Sequence, residues 1–433
     1  MADPVFHLTP LGRMGNLMIE YMVALKFADM VPGCRISNIS IPGWKIDHPP
    51  FDTPGTIVRE TRDQHIDLPD LAARMLSGEI ARVEWRGFGQ RMENLLPAER
   101  YHDVFVSPFG RNMGYGPEYL VCPIRAEDIL DAPHPDYVLT PVEFYRDIVD
   151  MTGLTPVFIG QTFPNYYMDR IRAAFPDAVY RDPQDDPLVD FETIRQSKNV
   201  VVGVSTYMWV AAWLSRDLEN IYMAVNGLFN PLQMPDVFLL PFGDKRFKFT
   251  LFPINYAVPF EQHAAPHRRI APYWRQVSHD VLRRQIDEAP RFAPSKEDLL
   301  ETFDEDYYLR TYPDVAAVAE SQRRSFARYH YGVNGIQEGR LPTPFDARWY
   351  ANQYPLAGFE VSQGDYRTFF DHYAAIGRAR GYRPGPGGGG HGGEVTGFRP
   401  DPAAGWTGLA DEHRSRRQAQ PGLCHERLAV HVE

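Results

Sequence analysis

Cysteine is almost missing from this chain: there are three in 433 residues, Cys34, Cys122 and Cys424, far apart and without metal-ligand spacing. That excludes a disulfide framework and a cysteine-built metal site, and it leads one to expect reduced thiols in a cytosolic setting. Positive charge is also short. A net charge of −11 excludes a general nucleic-acid binder, because a phosphate backbone needs a basic face. Any site for a phosphorylated ligand must therefore be a local positive spot on an acidic protein. No apolar run approaches the ~20 residues that a membrane-spanning helix needs. The opening "MADPVFHLTP" has no charged region followed by an apolar run, so no secretory signal is expected. The expected location is cytoplasmic, with attachment at the periphery of the inner membrane left open. Metal motifs, a catalytic-cysteine pattern and a nucleophile elbow are absent too. An enzyme of this sequence would work by positioning and side-chain acid–base chemistry.

What is present is ordinary globular material, 44% hydrophobic and 23% charged, long enough for two or three domains. "VFHLTP" reads as a strand, "LGRMGN" as a loop, and "NLMIEYMVALKFADM" as a helix, with Leu17, Tyr21, Leu25 and Ala28 at helical spacing. "CRISNISIP" supplies another strand. From residue 119 strands and helices alternate: "YLVCPIR", "TPVEFYRDIVDMTG" ending at Gly153, "TPVFIGQT", "YYMDRIRAAFP", "AVYRD", "PLVDFETIRQSK", "NVVVGVST", "YMWVAAWLSRD" and, as the last strand, "NIYMAVN". Such alternation implies a parallel, doubly wound sheet. The expected class is α/β with two Rossmann-like domains, 1–116 and 117–290, facing one cleft. A different pattern follows. "FDEDYYLRTYPDV" at 303–315 recurs as "FDARWYANQYPLA" at 345–357, and "HYGVNGIQEGRLP" at 330–342 recurs as "HYAAIGRARGYRP" at 372–384, with an offset of 42 residues throughout. Residues 300–384 are thus read as two small helical repeats. The glycine-rich stretch from 385 to 433 is read as a disordered tail.

Three segments carry candidate chemistry. "GRMGN" lies between a strand and a helix, where backbone amides make an anion site. Gly12 and Gly15 serve either that purpose or a tight turn, and Asn16 either a ligand or a helix cap. In "VCPIRAEDILDAPHPDYV", Arg125 falls at the carboxyl end of a strand, where open α/β sheets meet their ligands. A guanidinium can hold two phosphate oxygens at once, with Asp128 orienting it. The alternative is a plain Arg125–Asp128 ion pair. His134 and Asp136 are candidate proton acceptors, in a stretch that also reads as a turn. In "VVVGVSTYMWVAAWLS", Gly203, Ser205 and Thr206 bring amides and hydroxyls to a helix start, as ligand contacts or as a cap. Trp209 and Trp213, four apart, read as core.

In this order the three segments resemble the two-domain GT-B fucosyltransferases, particularly the bacterial α-1,2- and α-1,6-fucosyltransferase-like group. "GRMGNLMIE" is similar to that group's G-G-L-G-N-Q-M-F loop, "PIRAED" to H-x-R-x-G-D, and "STYMWVAAWL" to S-T-F-S-W-W-A-A-W-L. The likeness spans roughly residues 5–225. The middle motif departs from the pattern: Pro123 stands for the histidine, Glu127 for the glycine and Ala126 for any second arginine. The resemblance implies a metal-independent, inverting glycosyltransferase with no cofactor, taking a nucleotide-sugar donor (GDP-fucose by likeness) and a glycan acceptor in surface polysaccharide synthesis. It implies that Arg125 contacts the donor's β-phosphate. The alternative is a non-catalytic version of the same fold that binds glycan or a partner protein. The 42-residue repeats resemble modules appended to bacterial glycosyltransferases and leave room for a peripheral membrane or polysaccharide-assembly partner.

Overall fold

The strands of the computed structural model, which describes residues 3–61, 63–259, 273–322 and 325–386, fall into three sheets. The first is four-stranded, in the order β2-β1-β6-β5: β1 is Val5–Leu8, β2 Arg35–Ser37, β5 Ile57–Glu60 and β6 Arg82–Trp85. All its pairings are parallel. The second, two-stranded, pairs β3 (Ile39–Ile41) with β4 (Ile46–His48). The third is seven-stranded, in the order β13-β12-β11-β10-β7-β8-β9. Its members are β7 (Tyr119–Ile124), β8 (Thr155–Gly160), β9 (Val179–Tyr180), β10 (Asn199–Val202), β11 (Asn220–Val225), β12 (Phe247–Leu251) and β13 (Arg275–Val277). These pairings are parallel except β12 with β13.

Two readings of the sequence need correction. "RISNISI" is not one strand. Asn38 adopts φ 65°, a left-handed backbone that a strand cannot carry through, so β2 and β3 enter different sheets. "NIYMAVN" is not the last strand either. "FKFTL" follows as β12, and β13 closes that edge antiparallel. Apart from Gly385 and Pro386, the expected tail of 385–433 lies outside the described residues, as does Cys424.

Helices cover the sheets. Those that matter for the site are α1 (Met14–Met30), α2 (Leu68–Leu76), α3 (Val142–Thr152), α4 (Tyr166–Ala174), α5 (Pro187–Gln196) and α6 (Thr206–Trp213). Helix α3 ends at Gly153, whose φ of 68° supplies the left-handed stop expected of glycine there. Helix α1 is buried almost all round, from Met18 to Ala24 and at Phe27, because it packs on β1 and β3 and also against α6. Val200–Val202 of β10 are buried on both faces, as expected for a covered parallel strand. Trp209 and Trp213 stack at 5.2 Å inside the core.

The two 42-residue segments are built alike. Each has an aspartate cap, Asp304 or Asp346, at a helix start. In each, a tyrosine hydroxyl meets a histidine Nδ1: Tyr308 with His330 at 3.2 Å, Tyr350 with His372 at 2.9 Å. Each also has a π-helical turn, Tyr331–Gly335 or Tyr373–Gly377, ending in a glycine pressed on that hydroxyl. A Cβ at Gly335 or Gly377 would lie 2.3 Å or 2.2 Å from the oxygen. Glycine is therefore required there by close approach.

Candidate functional site

Strand order locates the site. In the seven-stranded sheet the chain winds outward from β7 through β8 to β9, then returns to β10 beside β7 and winds the other way. The reversal lies between β7 and β10, and a cleft opens at the carboxyl ends of such a pair. Arg125 follows β7, and Gly203–Ser205 follow β10. In the four-stranded sheet β1 and β6 lie side by side at the centre. The loop after β1 carries Gly12 and Arg13, and the loop after β6 carries Gln90.

Side chains join the loops of the two sheets. Asn16 Oδ1 accepts from Gln90 Nε2 at 3.1 Å and from Thr206 Oγ1 at 2.8 Å. Asn16 is not the helix cap; Arg13 holds that position, with no side-chain cap bond. Thr206 Oγ1 therefore turns to the other sheet's helix, while Ser205 is the cap of α6, its Oγ accepting from Met208 N at 3.5 Å. Gly15 lets the helix starts touch: a Cβ there would lie 2.5 Å from Tyr207 N and 2.7 Å from its Cα. Gly12, at φ 73°, folds the loop back over Asn16. Gly203 is equally confined, since a Cβ would lie 2.4 Å from Thr140 Oγ1.

Arg125 is a quarter exposed and ties these parts together. Its Nε and Nη2 donate to the two oxygens of Asp128 at 3.2 and 2.8 Å, and its Nη1 donates to Val204 O at 3.3 Å. Three of a guanidinium's five N–H donors are then committed, and two remain for a ligand. Its face lies 5.0 Å from the centre of the Tyr137 ring, which packs 5.0 Å from His134. The Asp128 carboxyl is held below its usual range, first by the hydrogen bond from Arg125 and further by the charges of Arg125 and Arg13. Arg13 is thus a second cation at the site, one that the sequence reading passed over. Its signal was a charge inside a glycine loop at a helix start. Beneath Arg125 lies a cavity of about 10 Å³, lined among others by Tyr145, Tyr167, Thr140 and Gly203, roughly the room one water needs.

The candidate proton acceptors sit apart. His134 is nearly half exposed, its Nδ1 3.3 Å from Asp136 N and 3.5 Å from Asp136 Oδ2. Asp136 is buried and accepts from Gln233 Nε2 at 2.8 Å. Glu20 is a further carboxyl that the sequence reading missed. It is buried in α1, both its oxygens 3.1 Å from Leu11 N at the root of the glycine loop. Burial first, then the charge of Asp63, push its carboxyl up to about 8.

This fold and site define an α/β protein in which loops from two mainly parallel sheets meet around a small cationic cluster. No protein-family model matches the chain, and no curated protein matches it. Solved structures do match. One is a mutant of FUT1 from Arabidopsis thaliana in complex with GDP, at 9% identity and a TM-score of 0.31, covering 51% of this chain and 70% of that one. No helix among the described residues is long and apolar enough to cross a membrane.

Proposed function

We propose that the protein is a glycosyltransferase that takes a nucleoside-diphosphate sugar, GDP-fucose by the resemblance of its three motifs, and passes the sugar to a glycan hydroxyl with inversion. The observation that carries this reading is the convergence around Asn16: segments some 190 residues apart in the chain, each following a central strand of its sheet, share one hydrogen bond beside Arg125. In the reaction the acceptor oxygen attacks the anomeric carbon as the bond from that carbon to the β-phosphate oxygen breaks. The electron pair stays on the diphosphate. Arg125, Arg13 and the amides at the starts of α1 and α6 oppose that growing charge without a metal. The proton of the acceptor hydroxyl passes to His134, which is accessible, rather than to Asp136, which is buried against Gln233. The donor side is assigned to residues 117–290 and the acceptor side to 1–116.

One observation favours a second reading. Asp128 already fills one edge of the Arg125 guanidinium, as a structural ion pair would, in a protein that binds a glycan or partner without turning it over. A screen of nucleotide-sugar hydrolysis, with Arg125→Ala beside the wild type, separates the two. The transferase reading expects hydrolysis of one donor and its loss in a folded variant. Hydrolysis that survives Arg125→Ala would remove Arg125 from the chemistry, and inertness toward every donor favours the binding protein.

A further inference from the structure

The second repeat does not stand apart from the body. Its core includes Ile254, and Leu232 packs against the same cluster. Asn352 meets both main-chain groups of Tyr256: its Oδ1 accepts from Tyr256 N at 2.8 Å, and its Nδ2 donates to Tyr256 O at 3.1 Å. Ile254 N donates to Gly358 O at 3.0 Å, and a Cβ on Gly358 would stand 2.4 Å from Ile254 O. The repeat thus grips an extended stretch of backbone through an amide fork and a glycine floor. The first repeat has Arg310 and Ala316 at the matching positions, so the grip belongs to the second alone.

The gripped stretch leads to the candidate site. Ala257 N donates to Pro135 O at 2.6 Å. Gln233 Nε2 bridges Asn255 O and Asp136 Oδ1, both at 2.8 Å. Leu228 N holds Asp136 O at 2.9 Å. The turn so fixed, His134–Tyr137, is the one whose tyrosine lies under Arg125. We propose that the second repeat is a positioning element of the body: by gripping residues 254–256 through Asn352 it fixes the His134–Tyr137 turn, and with it the ring on which Arg125 rests. The repeat therefore acts as an internal brace. Its consequence for nucleotide binding rests on the function proposed above; the brace itself does not.

The test is amide hydrogen exchange on the full chain. Asn352→Ala removes both bonds to Tyr256, and Asn352→Asp keeps the acceptor and removes the donor. Gly358→Ala attacks the same grip from the other side, should Asn352→Ala not fold. The expected result is exchange about tenfold faster at Ala257, Tyr137 and Leu228, smaller in Asn352→Asp, with Val200 and Val201 of β10 unchanged. Faster exchange confined to residues 254–257, with His134–Tyr137 as slow as in the wild type, would overturn the proposal, because the repeat would then be docked without bracing anything. GDP titrated into the same variants should bind severalfold more weakly. A wild type that binds no GDP would defeat the transferase reading and leave the exchange result to decide the brace.

Discussion

Replacing Gly15 by alanine sets two effects of opposite sign against each other. Gly15 has helical backbone in the first turn of α1, so on propensity alone alanine should stabilise the protein by up to about 1 kcal/mol. The contact argument says the reverse. The new Cβ would lie 2.5 Å from Tyr207 N, and the obstruction is main chain, which cannot swing aside. Ordinary contact begins near 3.4 Å, so the starts of α1 and α6 must part by roughly an ångström. The bond from Thr206 to Asn16, now 2.8 Å, would then stretch past any hydrogen-bond limit. Overpacking costs about 1–3 kcal/mol and the lost bond about 1 more, against the small gain in propensity. Gly15→Ala should therefore be less stable by about 1–3 kcal/mol, read from the urea midpoint at unchanged slope. An equally stable or more stable variant would refute the claim that the two helix starts touch.

Other expectations follow from single groups. Glu20 titrates near 8 in the folded chain against about 4.3 unfolded, so the folded state holds the extra proton across that interval. Stability contributed by this group is full below the unfolded value and is lost as pH rises through about 8; Glu20→Gln should flatten thermal melting between pH 5 and pH 8, and an unchanged pH profile would refute the shift. Tyr350→Phe strips the fully buried His372 of its Nδ1 partner and should cost about 1–3 kcal/mol in a melting experiment, more than Tyr308→Phe in the first repeat.

The parallel sheet was legible because its strands and helices carry uninterrupted patterns, as in "NVVVGVST" and "YMWVAAWLS". Strand β12 was missed because "GLFNPLQMPDVFLLPFGDKR" separates it from β11 with neither helical nor strand period. The break at Asn38 could not be read, since a left-handed residue leaves no mark in hydrophobicity. At the site, the three segments and their order were visible, and Arg125 does meet Asp128 and the Val204 carbonyl just before Ser205. What joins them was not visible. Asn16 reads locally as a cap, and its link to Thr206 is a contact at a separation of 190 that no local pattern encodes. Glu20 did leave a trace: a lone carboxyl inside "LMIEYMVAL", on a helix otherwise apolar where it is buried.

In the proposed transferase, Arg125, Arg13 and the paired helix starts supply the counter-charge for a diphosphate. Calorimetric titration of GDP, UDP and CMP into the wild type and into Arg125→Ala tests it most directly. A nucleoside diphosphate, GDP by resemblance, should bind the wild type, and affinity should fall at least about tenfold in the variant, since a charge-assisted hydrogen bond contributes about 1.5–3 kcal/mol. Equal affinity in both proteins, or no binding of any nucleotide to the wild type, would contradict it.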